Sequence, residues 1–330
     1  MASAAPLPLV YPAPLRPGGR LGVIAPASAP RRPDTLARGL AHLEALGYEI
    51  VQPRAQMERQ GYLAGSDAQR LDELNALLRR TDLDALVCVR GGYGTLRLLP
   101  GIDYEAARAH PKLLIGYSDI TALQLALYTR AGLPSLSGPM VAVEWGAMTP
   151  AVEADFWAMV TGAPRDPLPL LPGEALVPVR PGSAEGPLLG GNLAVLTRLI
   201  GTPYLPPLDG AILVIEEVGE APYRLDGLFA HLHLSGVLDR IGGLLIGQIT
   251  AWAASDEAVE GHPDEVIAHY TAGLSCPVAR GFAYGHVANK HAVPLGIPAR
   301  LEVTDEAVAV SYLSPLVHGP AADDHPEAAT

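Results

Sequence analysis

Ser118 stands where the apolar run Leu113-Leu114-Ile115 breaks at Gly116-Tyr117 and a helical period begins near Asp119. A strand that turns sharply into a helix lifts its turn residue to the carboxyl edge of a sheet, where open α/β sheets bind ligands, so this hydroxyl is a candidate nucleophile. The flanking pattern lacks the second glycine of G-x-S-x-G, and a serine ahead of Asp-Ile-Thr equally suits a helix N-cap. A nucleophilic hydroxyl needs a base, and His286 lies in GFAYGHVANKHAVPLG, a glycine-flanked loop with no helical period. An exposed loop histidine would read the same way. Glu216 and Glu217 close the apolar strand AILVI, where a carboxylate either holds an imidazole in one tautomer or ends the strand in solvent. Arg90-Gly91-Gly92-Tyr93-Gly94 follows another strand. Its glycines free backbone N–H groups for an oxyanion hole or anion nest, or else simply turn the chain.

Other chemistries fit less well. No Lys-Ser/Thr follows the glycines, and the G-x-G-x-x-G spacing is absent, which counts against a nucleotide or nicotinamide cofactor. His231 and His233 form an HLH pair, but on a helix positions i and i+2 face different sides and no third ligand stands nearby, so no metal is expected. Cys88 and Cys276 belong to no CxxC pattern and read as buried thiols.

The elements that must position these groups alternate. LGVIA is a strand, and DTLARGLAHLEALG is a helix with Leu36, Leu40 and Leu43 on one face, capped by Asp34 and ended at Gly47. YEIVQP reads as a second strand. Ser66 and Gln69 make a capping-box pattern before a helix that turns Leu71, Leu74 and Leu78 inward, and DALVCV follows as a strand. This alternation predicts a doubly wound, Rossmann-like parallel sheet in an α/β N-terminal domain over residues 1–162. Proline and glycine crowd residues 163–187, the expected linker. Residues 188–317, with a Gly-Gly-Asn turn into LAVLTRLIG, the strands AILVIEE and GGLLIGQIT, the helical RLDGLFAHLHLSG, and period-two closing strands at 299–313, are expected as a mixed α/β C-terminal domain. Residues 318–330 are polar and read as a disordered tail.

Composition narrows the partners. The chain has 330 residues, enough for two domains, and a net charge of -12 with no basic run, which disfavours nucleic acid. No uncharged apolar run is long enough to span a bilayer. The opening segment places its only cation, Arg16, after a proline-broken apolar stretch, unlike a secretory signal, so a cytoplasmic protein is expected.

Taken together the segments resemble the LD-carboxypeptidase family, which includes muramoyltetrapeptide carboxypeptidases and microcin C immunity proteins. The matching blocks are VIAPAS (from Val23), GYLAGSDAQRLDELN (from Gly61), RGGYGTLRLL (from Arg90), LIGYSDIT (from Leu114), GPLLGGNLAVLTRLIGT, IEEVGEAPYRLDGLFAHL and GHVANKHAVPLG, in one order along nearly the whole chain. The resemblance implies Ser118 as nucleophile, His286 as base, Glu216 as the acid that orients it, and an oxyanion hole from the amides of Gly92 and Asp119. From the residues alone Gly91 stays open for that role. The active site would lie at the domain junction and use no cofactor. The implied reaction releases terminal D-alanine from the cytosolic muropeptide tetrapeptide in murein recycling, by a homodimer.

A terminal carboxylate calls for a local cation in an acidic protein, and Arg90, Arg224 and Lys290 are the candidates. Within the family the alternative substrate is a peptidyl-nucleotide antibiotic; residues 201–211 contain no Trp and only Tyr204 as an aromatic, which favours the muropeptide. Outside it stands a catalytically silent two-domain binding protein, against which the joint presence of Ser118, Glu216 and His286 argues.

Overall fold

The computed structural model describes residues 7–52, 59–163, 165–252 and 261–319. Its first half contains β1 (Arg20–Ile24), α1 (Pro33–Ala45), β2 (Glu49–Val51), α2 (Asp67–Arg79), β3 (Ala85–Cys88), α3 (Tyr104–Ala109), β4 (Leu113–Ile115), α4 (Thr121–Ala131), β5 (Ser135–Ser137) and α5 (Pro150–Val160). The second contains β6 (Val177–Arg180), β7 (Gly182–Asn192), α6 (Leu193–Thr197), β8 (Ile212–Val218), α7 (Pro222–Leu234), α8 (Val237–Arg240), β9 (Gly243–Thr250), α9 (Pro263–Thr271), β10 (Val278–Arg280), β11 (Val293–Leu295), β12 (Pro298–Val303) and β13 (Val308–Tyr312).

Two sheets result. The first has the order β11-β5-β4-β3-β1-β2, and its strands from β2 to β5 are parallel. β3 and β4 are buried at every residue, as a sheet covered on both faces requires. The second has the order β13-β12-β7-β8-β9-β10-β6, with a parallel centre β7-β8-β9-β10 flanked by antiparallel strands. The doubly wound expectation therefore holds for the first half and the mixed α/β expectation for the second.

α2 begins with the predicted capping box: Gln69 N donates to Ser66 Oγ at 3.2 Å and Ser66 N donates to Gln69 Oε1 at 2.8 Å. α4 is buried nearly all round and joins the halves. Asn192 N donates to Thr121 Oγ1 at 3.0 Å, and Thr129 Oγ1 donates to the Tyr204 carbonyl at 3.0 Å. Both cysteines are buried free thiols.

Three expectations are corrected. Residues 163–187 are not a free linker: β6 lies within them, β7 starts at Gly182, and Glu174 is buried in a charge cluster. Proline and glycine there shape turns in a packed edge. Nor is the first sheet built only from the first half, because β11 adds to its edge antiparallel to β5. His318 does not belong to a disordered tail, since its ring stacks on Tyr11 at 3.9 Å and its amide donates to the Pro12 carbonyl; residues 320–330 lie outside the described ones.

The segment carrying β11 is riveted to the first half by buried charge. His291 Nε2 meets Glu174 Oε2 at 2.7 Å, and its Nδ1 lies 3.3 Å from Asp155 Oδ2 without hydrogen-bond alignment. Ala292 N donates to the same Asp155 oxygen at 3.1 Å, and Ala283 N donates to Glu174 Oε1 at 2.8 Å. Burial pushes the imidazolium toward its neutral form, but Asp155 and Glu174 outweigh it and raise the His291 pKa from 6.5 to about 9. Because the folded value lies above the ordinary one, the stabilisation is complete below pH 6.5 and disappears as pH rises through about 9. Thermal unfolding across this range should show Tm falling from pH 7 to pH 9.5, with the fall much reduced in His291→Gln; an identical slope in both proteins would rule this account out.

Candidate active site

The carboxyl ends of β1, β3 and β4 each feed a loop toward one place. After β4 the chain turns at Ser118, whose φ is 66°. This left-handed conformation costs a residue with a Cβ about 1–2 kcal/mol, so neighbours must hold it. Gln124, in α4, donates to the carbonyls of Gly116 and Leu136 at 2.9 and 3.0 Å. Asp119 Oδ2 accepts from Thr95 N and Thr95 Oγ1 at 2.9 Å each, and Thr95 Oγ1 also donates to the Asp119 carbonyl at 2.6 Å. Burial pushes the Asp119 carboxyl up, against these hydrogen bonds. The clamp ties the serine turn to the end of the glycine loop.

That loop packs against the serine itself. A Cβ on Gly91 would stand 2.8 Å from Ser118 Cβ and 3.1 Å from its Oγ, and one on Gly92, at φ 115°, would overlap Ser28. Ser28 in turn accepts from Tyr93 N at 3.2 Å, and Ser28 N donates to the Gly91 carbonyl at 3.3 Å. Arg70, wholly buried in α2, donates to the Pro26 carbonyl and pairs with Asp67, locking the β1 loop beneath Gly94. Among the described residues the amides of Gly92 and Asp119 donate to no acceptor. They remain available to an oxyanion.

Glu216 comes from β8 of the second sheet, and His286 from the loop that runs from β10 of that sheet to β11 of the first. Glu216 sits where the register of β8 against β9 shifts between Ile215 and Glu217. Such an irregularity re-aims side chains, and here both carboxylates are buried rather than solvated. Glu216 Oε2 lies 2.8 Å from His286 Nδ1, and His286 Nε2 lies 3.0 Å from Ser118 Oγ. Gly285, at φ 130°, makes room: a Cβ there would come 3.1 Å from Glu216 Oε2. Glu217 points to other partners, accepting from Ala194 N at 2.7 Å, Val218 N at 2.8 Å and Asn192 Nδ2 at 3.1 Å. Burial pushes its carboxyl up, and its work is to seat the Gly-Gly-Asn turn against α4.

The Ser118 hydroxyl therefore faces an imidazole and does not cap a helix, since no side chain caps this turn or α4. A hydroxyl, an imidazole and a buried carboxylate in this sequence can activate the oxygen, accept its proton and stabilise the resulting imidazolium.

The three carboxylate-binding candidates fare differently. Arg224 is exposed on α7, where it pairs with Glu220 at 3.7 Å and lies over the Tyr223 ring. Lys290 is buried against Glu144 at 2.7 Å, so its charge is already matched. Arg90 is half-buried beside Gly92, donates to the Ala29 carbonyl at 3.3 Å, and pairs with no carboxylate among the described residues. Burial and the nearby charges of Arg31 and Arg59 lower its pKa.

Sequence reasoning missed Thr95, Ser28, Asn192, Glu144 and the buried Arg70. Ser28, Arg70, Thr95 and Asn192 all lie inside the matching blocks, which could have flagged them, and Glu144 stands outside every one. Gly91→Ala should slow acylation of Ser118 by a fluorophosphonate probe at least about tenfold, because misplacement by an ångström has such costs. Labelling at the wild-type rate by a folded variant would contradict the packing described.

Known proteins share this arrangement of sequence. The family description "LD-carboxypeptidase N-terminal domain" matches residues 21–138 and "LD-carboxypeptidase C-terminal domain" matches 185–301. A probable murein peptide carboxypeptidase of Bacillus subtilis strain 168 is 34% identical over 301 residues, 91% of this chain and 93% of its own. A murein tetrapeptide carboxypeptidase of Pseudomonas aeruginosa is 36% identical over 296 residues, covering 86% and 93%. The solved structure of the microcin C7 self-immunity protein MccF, wild type and without ligand, superposes with a TM-score of 0.83 at 26% identity, covering 93% and 99%. With both halves matched and relatives above 30% identity along almost its full length, the chain belongs to the LD-carboxypeptidase family and is a serine-type carboxypeptidase.

Proposed function

We propose that this protein releases terminal D-alanine from muropeptide tetrapeptides in the cytoplasm, serving murein recycling, with Ser118, His286 and Glu216 as its triad. The observation that carries the reading is the unbroken relay from Glu216 Oε2 through His286 to Ser118 Oγ, at 2.8 and 3.0 Å. The names of the two murein-peptide relatives support the substrate.

In this reading Ser118 Oγ attacks the carbonyl carbon on the L-configured side of the bond while its proton passes to His286 Nε2. Glu216 holds Nδ1–H and stabilises the imidazolium. Negative charge gathers on the carbonyl oxygen, which the amides of Gly92 and Asp119 receive. Collapse of the adduct breaks the C–N bond, His286 returns the proton to the departing amine of D-alanine, and an ester remains on Ser118. Water, deprotonated by the same imidazole, then hydrolyses that ester.

Arg90 is the cation assigned to the terminal carboxylate. It stands beside Gly92, and its charge is free of acidic partners among the described residues, in contrast to Lys290 and Arg224. The homodimer implied by the family resemblance belongs to the same reading. No helix among the described residues is long and apolar enough to cross a membrane.

The likeness to MccF favours one further reading, hydrolysis of a peptidyl-nucleotide by the same triad. Identity is higher to the murein relatives, and Tyr204 is engaged in stacking on Tyr104 at 6.5 Å, so the muropeptide is preferred.

The test is D-alanine release from L-Ala-γ-D-Glu-meso-diaminopimelyl-D-Ala in the presence of a chelator. Wild type should release it, and Ser118→Ala should lower the rate by about 10⁴-fold or more. Arg90→Ala should raise KM roughly tenfold or more through loss of a charged hydrogen bond, with fluorophosphonate labelling of Ser118 unchanged. Absence of release by wild type, with hydrolysis of an aminoacyl-sulfamoyl nucleoside instead, would replace the muropeptide reading by the second.

A further inference from the structure

Between His286 and β11 the connecting segment buries, besides His291, a lysine that no step above uses. Lys290 Nζ lies 2.7 Å from Glu144 Oε1, with the two side chains only 6% and 10% exposed. It also stands 3.6 Å over the centre of the Tyr117 ring. Glu144 is fully engaged: the same Oε1 accepts from Tyr117 OH at 2.7 Å, and Oε2 accepts from Met140 N at 2.9 Å. Tyr117 immediately precedes the serine, and its ring meets the His286 imidazole edge-on at 5.1 Å and 63°. One compact unit thus touches both the nucleophile's turn and the base.

General stability does not account for such a pair. Desolvating two charges costs several kcal/mol each, and apolar residues of the same volume usually serve a core as well or better. What the pair provides is fixed geometry and a balanced charge. Glu144 comes from the loop after β5, and Lys290 comes from the histidine's own loop, so their contact fastens the base of the second half to the serine-bearing half.

We infer that Lys290, Glu144 and Tyr117 are positioning residues for the reaction: they set the His286 ring over Ser118, and the opposed pair adds no net charge to the field at the imidazole. This rests on the proposed role of His286 as base. The groups facing that ring are Glu216 from β8 and Ser118 and Tyr117 from the turn after β4. Behind Tyr117 stand Glu144, Lys290 and the Arg90 guanidinium. Of these, Glu144 and Lys290 are the opposed pair whose removal one at a time leaves an unbalanced charge behind the Tyr117 ring that meets the imidazole.

The experiment follows the pH dependence of D-alanine release and of Ser118 labelling by a fluorophosphonate. Glu144→Gln leaves the Lys290 cation, which disfavours the imidazolium, so the acid limb should move to lower pH. Lys290→Met leaves the Glu144 anion, which favours the imidazolium, so the limb should move to higher pH. A unit charge at this range shifts such a limb by about one pH unit, roughly a tenfold change in rate on the limb. The double variant Glu144→Gln/Lys290→Met should return the limb to its wild-type position. KM should hold while kcat falls about tenfold in each single variant.

A merely structural pair would slow or destabilise the enzyme without opposite shifts, so folded single variants with unmoved acid limbs would overturn the inference. Should the single variants not fold, Tyr117→Phe removes only the hydroxyl donated to Glu144, and it should slow labelling several-fold with the ring retained. Unchanged labelling in that variant would equally count against it. If wild type is labelled but releases no D-alanine, the muropeptide reading fails while the labelling limbs still decide this one.

Discussion

A serine held at φ 66° is the constraint around which the surrounding loops are organised. Left to itself the turn would relax, and the hydroxyl would swing toward the helix amides that serine ordinarily caps. Three contacts prevent this: Gln124 ties the Gly116 carbonyl at the turn to the Leu136 carbonyl of β5, Asp119 grips Thr95, and Gly91 offers no side chain where Ser118 must stand. The glycine loop, the first helix turn after the serine and the loop after β1 are therefore one unit, and the two free amides are a by-product of how that unit packs.

The same economy of buried polar groups appears on the other side of the site. Arg70, Glu217, His291 and the Lys290–Glu144 pair are all buried or nearly so, and each is matched by partners from a distant part of the chain. A buried charge without a partner is costly, so each of these contacts is specific in a way that apolar packing is not. They fasten loops, whereas the apolar residues of β3, β4 and β8 fasten the sheets.

Much of this was legible in the chain because periodicity and turn chemistry are local. The strands LGVIA and DALVCV, the capping box at Ser66 and the break at Gly116 announce themselves within a few residues, and the family resemblance orders Ser118, Glu216 and His286 into one site. What stayed hidden depends on long-range pairing. Residues 163–187 read as a linker because proline and glycine mark irregular backbone whether it is packed or free, and nothing near Glu174 tells of His291 more than a hundred residues away. Lys290 looked like a free cation for the same reason: its partner Glu144 lies in a different half. The edge position of β11 was equally invisible, since three residues of sequence do not say which sheet they join.

β11 covers the edge of the sheet that carries Ser118, yet it belongs to the last forty or so residues of the chain and follows His286 by only a few positions. During synthesis β5 emerges early with its outer row of amides and carbonyls unpaired, an exposed template of the kind that recruits other strands. That edge closes only when the segment carrying the histidine docks. Closing that edge and delivering the imidazole are thus one event, and a nascent or truncated chain that still exposes the edge also lacks the imidazole beside Ser118.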